Sequence, residues 1–196
     1  MSAAARLDRR QAIARLLARR TDLLVATGLG SPTYDVAAAG DHERNFYLWG
    51  AMGGAAMTGL GLALARPSEP VLVVTGDGEM LMGMGSFATI AQSAPANLTV
   101  VVIDNELYGE TGAQETHTAT GADLAGIARA CGIASADTID DNAGLDRLAE
   151  TLHTIAGGPR VAVLKVARTE SAKVLVTRDG AHNKARFRLA LGLPAD

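Results

Sequence analysis

The sequence predicts an α/β fold, a parallel sheet with helices on both faces. Three observations predict it. Short β-branched runs such as Val71–Thr75 and Leu98–Ile103 alternate with helical segments along the chain, the pattern of parallel strands joined by crossover helices. Both runs end in polar groups, Gly76-Asp77-Gly78-Glu79 and Asp104-Asn105, as expected where a ligand edge lies beyond the carboxyl ends of the strands. The 196 residues suffice for one α/β domain with a sizeable core, and 1–196 reads as a single domain.

Each element has its own signal. Asp8 and Gln11 form a capping box for a helix expected to run to about Arg20. A strand over 22–26 follows, then a Gly/Ser/Pro loop. A short strand over 46–49 leads to a Gly- and Ala-rich helix over 52–64. Strands over 71–75 and 98–104 flank a helix expected from about Gly83 to Gln92, with helical turns beginning near Glu79. A polar loop is expected over 106–121. Helix 123–131, strand 134–138, helix 143–156, strand 160–166 and a helix over 183–191 complete the alternation.

Composition excludes several classes. A net charge of −3 gives no footprint for nucleic acid. Cys131 is the single cysteine, without a partner for a disulfide or metal site, and reads as core packing. Met1 to Arg10 carry charges without an apolar centre, so no secretory signal is expected. No apolar run is long enough for a membrane span. A soluble cytoplasmic protein is the expectation. The arginines at 6, 9, 10, 15, 19 and 20 read as a solvated helix face.

The strand-end residues carry the chemistry. Asp77 and Asn105 should stand side by side at one sheet edge. A carboxylate, a carboxamide and a backbone carbonyl make a hard oxygen site suited to Mg²⁺ or Ca²⁺. Gly76 and Gly78 let the backbone approach what the metal holds, and a helix starting near Glu79 points free N–H groups at a phosphate. Together these features suggest a metal-bridged diphosphate. A dinucleotide fingerprint is the nearest rival, but Gly28-Leu-Gly30 lacks the third glycine. No strand is followed by Gly-Lys-Ser/Thr, so a triphosphate loop is not expected.

Gly76-Asp77-Gly78, then an Asn closing an apolar strand about 25 to 30 residues later, resembles the thiamine diphosphate-binding motif. Trp49-Gly-Ala-Met-Gly-Gly-Ala55 lies where these enzymes carry a Gly and a bulky apolar residue. Asp104-Asn-Glu-Leu-Tyr-Gly-Glu-Thr-Gly-Ala-Gln114 looks like the matching segment of sulfopyruvate and phosphonopyruvate decarboxylases. The resemblance covers nearly all of residues 20 to 170. It implies thiamine diphosphate with Mg²⁺, held by Asp77, Asn105 and the backbone oxygen of Leu107. It implies phosphate contacts from the N–H groups of Gly78 and Glu79 and from the Thr27-Gly28 loop. The Glu79 side chain itself reads as a cap of its own helix rather than a ligand contact. Met52 matches the residue that wedges beneath the cofactor, and Gly50 the residue whose carbonyl accepts from the aminopyrimidine. Met80, Met82 and Met84 read as packing around the cofactor end.

In the family a Glu on a separate pyrimidine-binding domain activates the cofactor. The 196 residues leave no room for that domain. The chain therefore looks like the diphosphate half of a split enzyme, similar to the β subunit of sulfopyruvate decarboxylase. Its active site would be shared with a pyrimidine-binding α subunit in a hetero-oligomer. The implied substrate is a small anionic 2-oxo acid. Tyr108, Thr111, Gln114, Thr116 and His117 follow the metal site and could border it, with His117 meeting the anionic tail or assisting proton transfer. Arg186 and Arg188 are candidates to reach an anionic site. Two other readings stay open: a subunit for another thiamine reaction (carboligation, acyl transfer or 2-oxo acid oxidation), and a non-catalytic cofactor-binding module.

Overall fold

The computed structural model describes residues 6–196, so the first five residues of the expectation about the amino terminus lie outside it. Six strands form one wholly parallel sheet in the order β2-β1-β3-β4-β8-β7. They are β1 (Leu24–Thr27), β2 (Asn45–Tyr47), β3 (Val71–Gly76), β4 (Leu98–Asp104), β7 (Ser135–Ile139) and β8 (Arg160–Lys165). The central strands are buried on both faces, which is why they read as continuous apolar runs rather than alternating ones. Val73, Val100, Val102 and Val163 face one layer, with α3 (Ala55–Ala65), α5 (Ser86–Ser93) and α6 (Leu124–Ala130). Leu72, Val74, Val101 and Leu164 face the other, with α1 (Arg9–Leu17) and α7 (Asn142–Thr151). Successive residues of one strand thus feed two separate cores.

The strand order places the candidate site. From β1 the chain goes to β2 on one side, then crosses back to β3 on the other. The carboxyl ends of β1 and β3 therefore flank a switch point, where a crevice opens in such sheets. Gly76 pairs in register with Ile103, so Asp77 and Asp104 leave neighbouring strands at the same level.

Several local expectations need correction. Asp8 does cap α1, accepting from the Gln11 amide at 2.8 Å, but the helix ends at Leu17. The Gly/Ser/Pro loop is largely helix: α2 spans Ser31–Ala38, with Pro32 in its first turn. Proline there costs nothing, because its missing N–H would have no helical partner. The Gly/Ala-rich helix begins at Ala55, leaving Met52 in the preceding turn. Gly53 and Gly83 touch backbone to backbone there, and a Cβ at Gly83 would collide with the Gly53 carbonyl. The helix expected over 83–92 is α5, which begins at Ser86, and the helical start expected near Glu79 is a separate short helix, α4 (Asp77–Met82), the two being parted at Gly83–Gly85. The polar loop holds a small antiparallel pair, β5 (Leu107–Tyr108) and β6 (Gln114–Glu115), then a 3-10 turn at His117–Thr120. The last helix, α8, runs over Gly180–Ala190.

The arginines near the amino terminus are not one solvated face. Arg9 is 5 % exposed and donates to Asp35 on α2 at 2.7 Å, and Arg10 donates to the same carboxylate at 3.1 Å. Arg20 is held by Asn45 and the Leu23 carbonyl. Cys131 packs partly buried against the first core layer. Among the described residues, no helix is long and apolar enough to cross a membrane.

Candidate active site

β3 and β4 deliver Asp77 and Asn105 to one cleft at the carboxyl edge of the sheet. The cleft holds about 620 Å³ of empty space, counting the part open to solvent. Met52, Gly76, Asp77, Gly78, Glu79, Asn105 and Leu107 all border it. Gly78 must be glycine, because a Cβ there would run into the Tyr108 ring, which forms the facing wall.

Asp77 is 2 % exposed. Burial pushes its carboxyl from 3.8 up to about 6, against hydrogen bonds from Thr116 and Thr118 that pull it down and with repulsion from Asp104 that pushes it further up. Thr116 Oγ1 donates to Asp77 Oδ2 at 2.5 Å, and Thr118 Oγ1 lies 3.2 Å from the same atom. Oδ1 receives no hydrogen bond from another residue's side chain among the described residues. A buried carboxylate with unpaid desolvation and a spare oxygen is poised for a cation. Asn105 adds an amide oxygen, which already accepts from the Leu107 amide at 3.0 Å, and Leu107 adds a backbone oxygen. This donor set is all hard oxygen and carries one charge. It fits Mg²⁺, which keeps few protein ligands and takes the rest from phosphate and water. No group of three His, Cys, Asp or Glu that could hold a metal occurs among the described residues.

Gly78 and Glu79 fall in the first turn of α4, where amides lack intrahelical acceptors. The Glu79 side chain does not cap its own helix. Its carboxylate accepts from the Leu29 amide at 3.2 Å and the Ala55 amide at 3.3 Å, tying the loop after β1 to the start of α3. Burial raises its pKa, and those amide bonds partly offset the rise. Glu79 holds the walls of the cleft together.

Other expected residues stand elsewhere. The Gly28 amide donates to the Val74 carbonyl at 3.1 Å, which completes the β1–β3 ladder and takes it away from any phosphate. The Thr27 side chain is fully buried and pairs with Thr33 at 2.6 Å. Gly50, at φ +77°, is exposed in the turn before Met52 and does not border the cleft. His117, at the start of the 3-10 turn, and Gln114, on β6, are also exposed and outside the cleft. Met80 is buried, but Met82 is 63 % exposed and Met84 lies on the surface. Arg186 pairs with Asp41 at 2.6 Å, and Arg188 bonds the carbonyls of Pro194 and Asp196, so neither serves the cleft.

Sequence reasoning missed three parts of the site. Pro32 of α2 borders the cleft. Glu110 borders it too and is paired with Lys173 at 3.1 Å. Thr118 links Asp77 to Asp104, donating to the latter at 2.8 Å, and Lys165 donates to Asp104 at 2.8 Å. A Thr-x-Thr segment closing a polar loop was the available signal, but nothing local directs it at Asp77.

Known proteins are similar to this chain over most of its length. Residues 29–166 match the family model of the thiamine pyrophosphate enzyme C-terminal TPP binding domain. The chain is 36 % identical over 179 residues to the sulfopyruvate decarboxylase subunit beta of Methanococcus maripaludis, covering 91 % of this chain and 87 % of that one. It is 40 % identical over 167 residues to the phosphonopyruvate decarboxylase of Streptomyces viridochromogenes, covering 83 % of this chain but 41 % of that longer one. The fold is similar to that of the 4-hydroxybenzoylformate decarboxylase of Rhodococcus jostii RHA1. There the TM-score is 0.70 at 19 % identity, over 87 % of this chain and 34 % of that one.

Proposed function

The chain belongs to the thiamine pyrophosphate enzyme C-terminal TPP binding domain family, and on that premise we propose that it is the diphosphate-binding β subunit of a split 2-oxo acid decarboxylase. The observation that carries this reading is the meeting of Asp77, Asn105 and Leu107 on one cleft at the switch point of the sheet. Asp77 Oδ1, the Asn105 amide oxygen and the Leu107 carbonyl would hold Mg²⁺. The amides of Gly78 and Glu79 would meet the diphosphate. Met52 would support the two rings of the cofactor from the turn before α3. Bound thiamine diphosphate supplies the electron sink for the bond that breaks as carbon dioxide leaves.

The cleft's own carboxylates are already committed. Asp77 faces the metal position, Glu79 bridges two backbone amides, and Glu110 is paired with Lys173. The glutamate that activates the cofactor must then come from a partner. A pyrimidine-binding α subunit would supply it and close the open side of the cleft against water. The assembly is therefore a hetero-oligomer. Sulfopyruvate or phosphonopyruvate is the proposed substrate, in line with the names of the relatives.

Carbon dioxide release from each acid and from pyruvate, by the chain alone and then with the partner, tests the reading. Turnover is expected only in the pair and only with the anionic-tailed acids. Robust turnover by the chain alone would overturn the split site. Activity in the pair without that preference would remove the substrate assignment.

A further inference from the structure

Asn105 and Leu107, the two loop residues assigned to the metal, are separated by a residue in an unusual state. Glu106 has φ +64°, in the left-handed region that glycine and asparagine normally occupy. A long side chain there persists only when its surroundings hold it. They do so with charge. The Glu106 carboxylate accepts from Arg6 at 2.7 Å, Lys165 at 3.2 Å and Arg168 at 2.8 Å. These three cations come from three places: the segment before α1, the end of β8 and the segment after it. The Glu106 side chain is 10 % exposed.

The backbone of the same residue is fastened to the partners of Asp77. The Glu106 amide donates to Asp104 Oδ1 at 3.2 Å, and its carbonyl accepts from the Thr116 amide at 2.9 Å. Asp104 and Thr116 both belong to the hydrogen-bonded ring around Asp77. A left-handed residue at this point reverses the chain, so that Leu107 enters β5 and the Asn105 amide reaches across to the Leu107 N–H. Residue 106 thus sets how Asn105 and Leu107 stand relative to one another.

We propose that Glu106 is a positioning residue for the metal. Its cationic clamp holds the left-handed turn that presents the Asn105 amide oxygen and the Leu107 carbonyl to the cleft beside Asp77. The inference rests on the reading of that cleft as a metal–diphosphate site. Groups that orient metal ligands in this way are worth about 10–100-fold in metal affinity.

The test is calorimetric titration of thiamine diphosphate across a Mg²⁺ series, with the full chain and its partner subunit, for wild type, Glu106→Gln and Glu106→Gly. Glutamine keeps the shape and loses the charge. Glycine accepts the left-handed backbone and loses the clamp. Glu106→Gln is expected to raise the Mg²⁺ needed for half-saturation about tenfold or more, with binding restored at high Mg²⁺, and Glu106→Gly, which takes the turn without a clamp, to raise it less. Melting of the metal-free proteins is measured alongside. A lower melting temperature with an unchanged Mg²⁺ requirement would show that the clamp only braces the fold, and would overturn the inference. Wild-type Mg²⁺ dependence in Glu106→Gln would do the same. If wild type itself binds no thiamine diphosphate with Mg²⁺, the reading of the cleft fails first, and the inference with it.

Discussion

Replacing Asp77 by asparagine is expected to stabilise the metal-free protein and to abolish its response to metal. Asp77 is buried, and its carboxyl stands at about 6 instead of 3.8, chiefly through desolvation. A carboxyl whose folded pKa exceeds its unfolded one binds more protons in the folded state. Its contribution to stability is therefore best below the unfolded pKa and declines as pH rises through the folded one. The upward shift of roughly two units amounts to ~3 kcal/mol of destabilisation at pH 7. That net shift already includes the opposing Thr116 and Thr118 hydrogen bonds, and asparagine keeps an oxygen to accept them. The ~3 kcal/mol corresponds to a rise of ~6–12 °C in melting temperature for a chain of this size. Thermal melts in EDTA at pH 7 and pH 5 measure it. The advantage over wild type should shrink at about pH 5, where the wild-type carboxyl is mostly protonated. Saturating Mg²⁺ and thiamine diphosphate should then raise the wild-type melting temperature and leave Asp77→Asn where it was. An asparagine variant no more stable than wild type in EDTA at pH 7 would refute the claim that this carboxylate waits, at a cost, for a cation.

Two further outcomes follow from the geometry. Met52→Ala should lower turnover of the assembled enzyme more than it lowers cofactor affinity. Because Met52 is 37 % exposed in a turn, unfolding stability should change by no more than about 0.5 kcal/mol; full turnover would remove its wedge role. Asp35→Ala strips the buried Arg9 guanidinium of its partner and should cost about 3–5 kcal/mol in denaturant unfolding, whereas a loss below about 1 kcal/mol would mean that Arg9 escapes to water.

The primary sequence alone determined the sheet and its polar edge. Val71–Gly76 and Leu98–Asp104 announce themselves as buried parallel strands because β-branched runs bounded by turn residues are a local property of the chain. Their polar ends identify Asp77 and Asn105 for the same reason, since a strand end projects its next side chain at the sheet edge. Tertiary structure alone decided what surrounds them. Thr116 meets Asp77 across 39 residues of chain, and Arg6 meets Glu106 across 100. No periodicity encodes such pairs; they exist because the strand order brings β3, β4 and β8 side by side and folds the β5–β6 pair back over their ends. The same packing left His117 exposed, bound the Gly28 amide into the β1–β3 ladder and set the Glu79 carboxylate between two backbone amides. A buried amide or carboxylate takes the nearest partner that satisfies it, and only the assembled fold determines which partner is near.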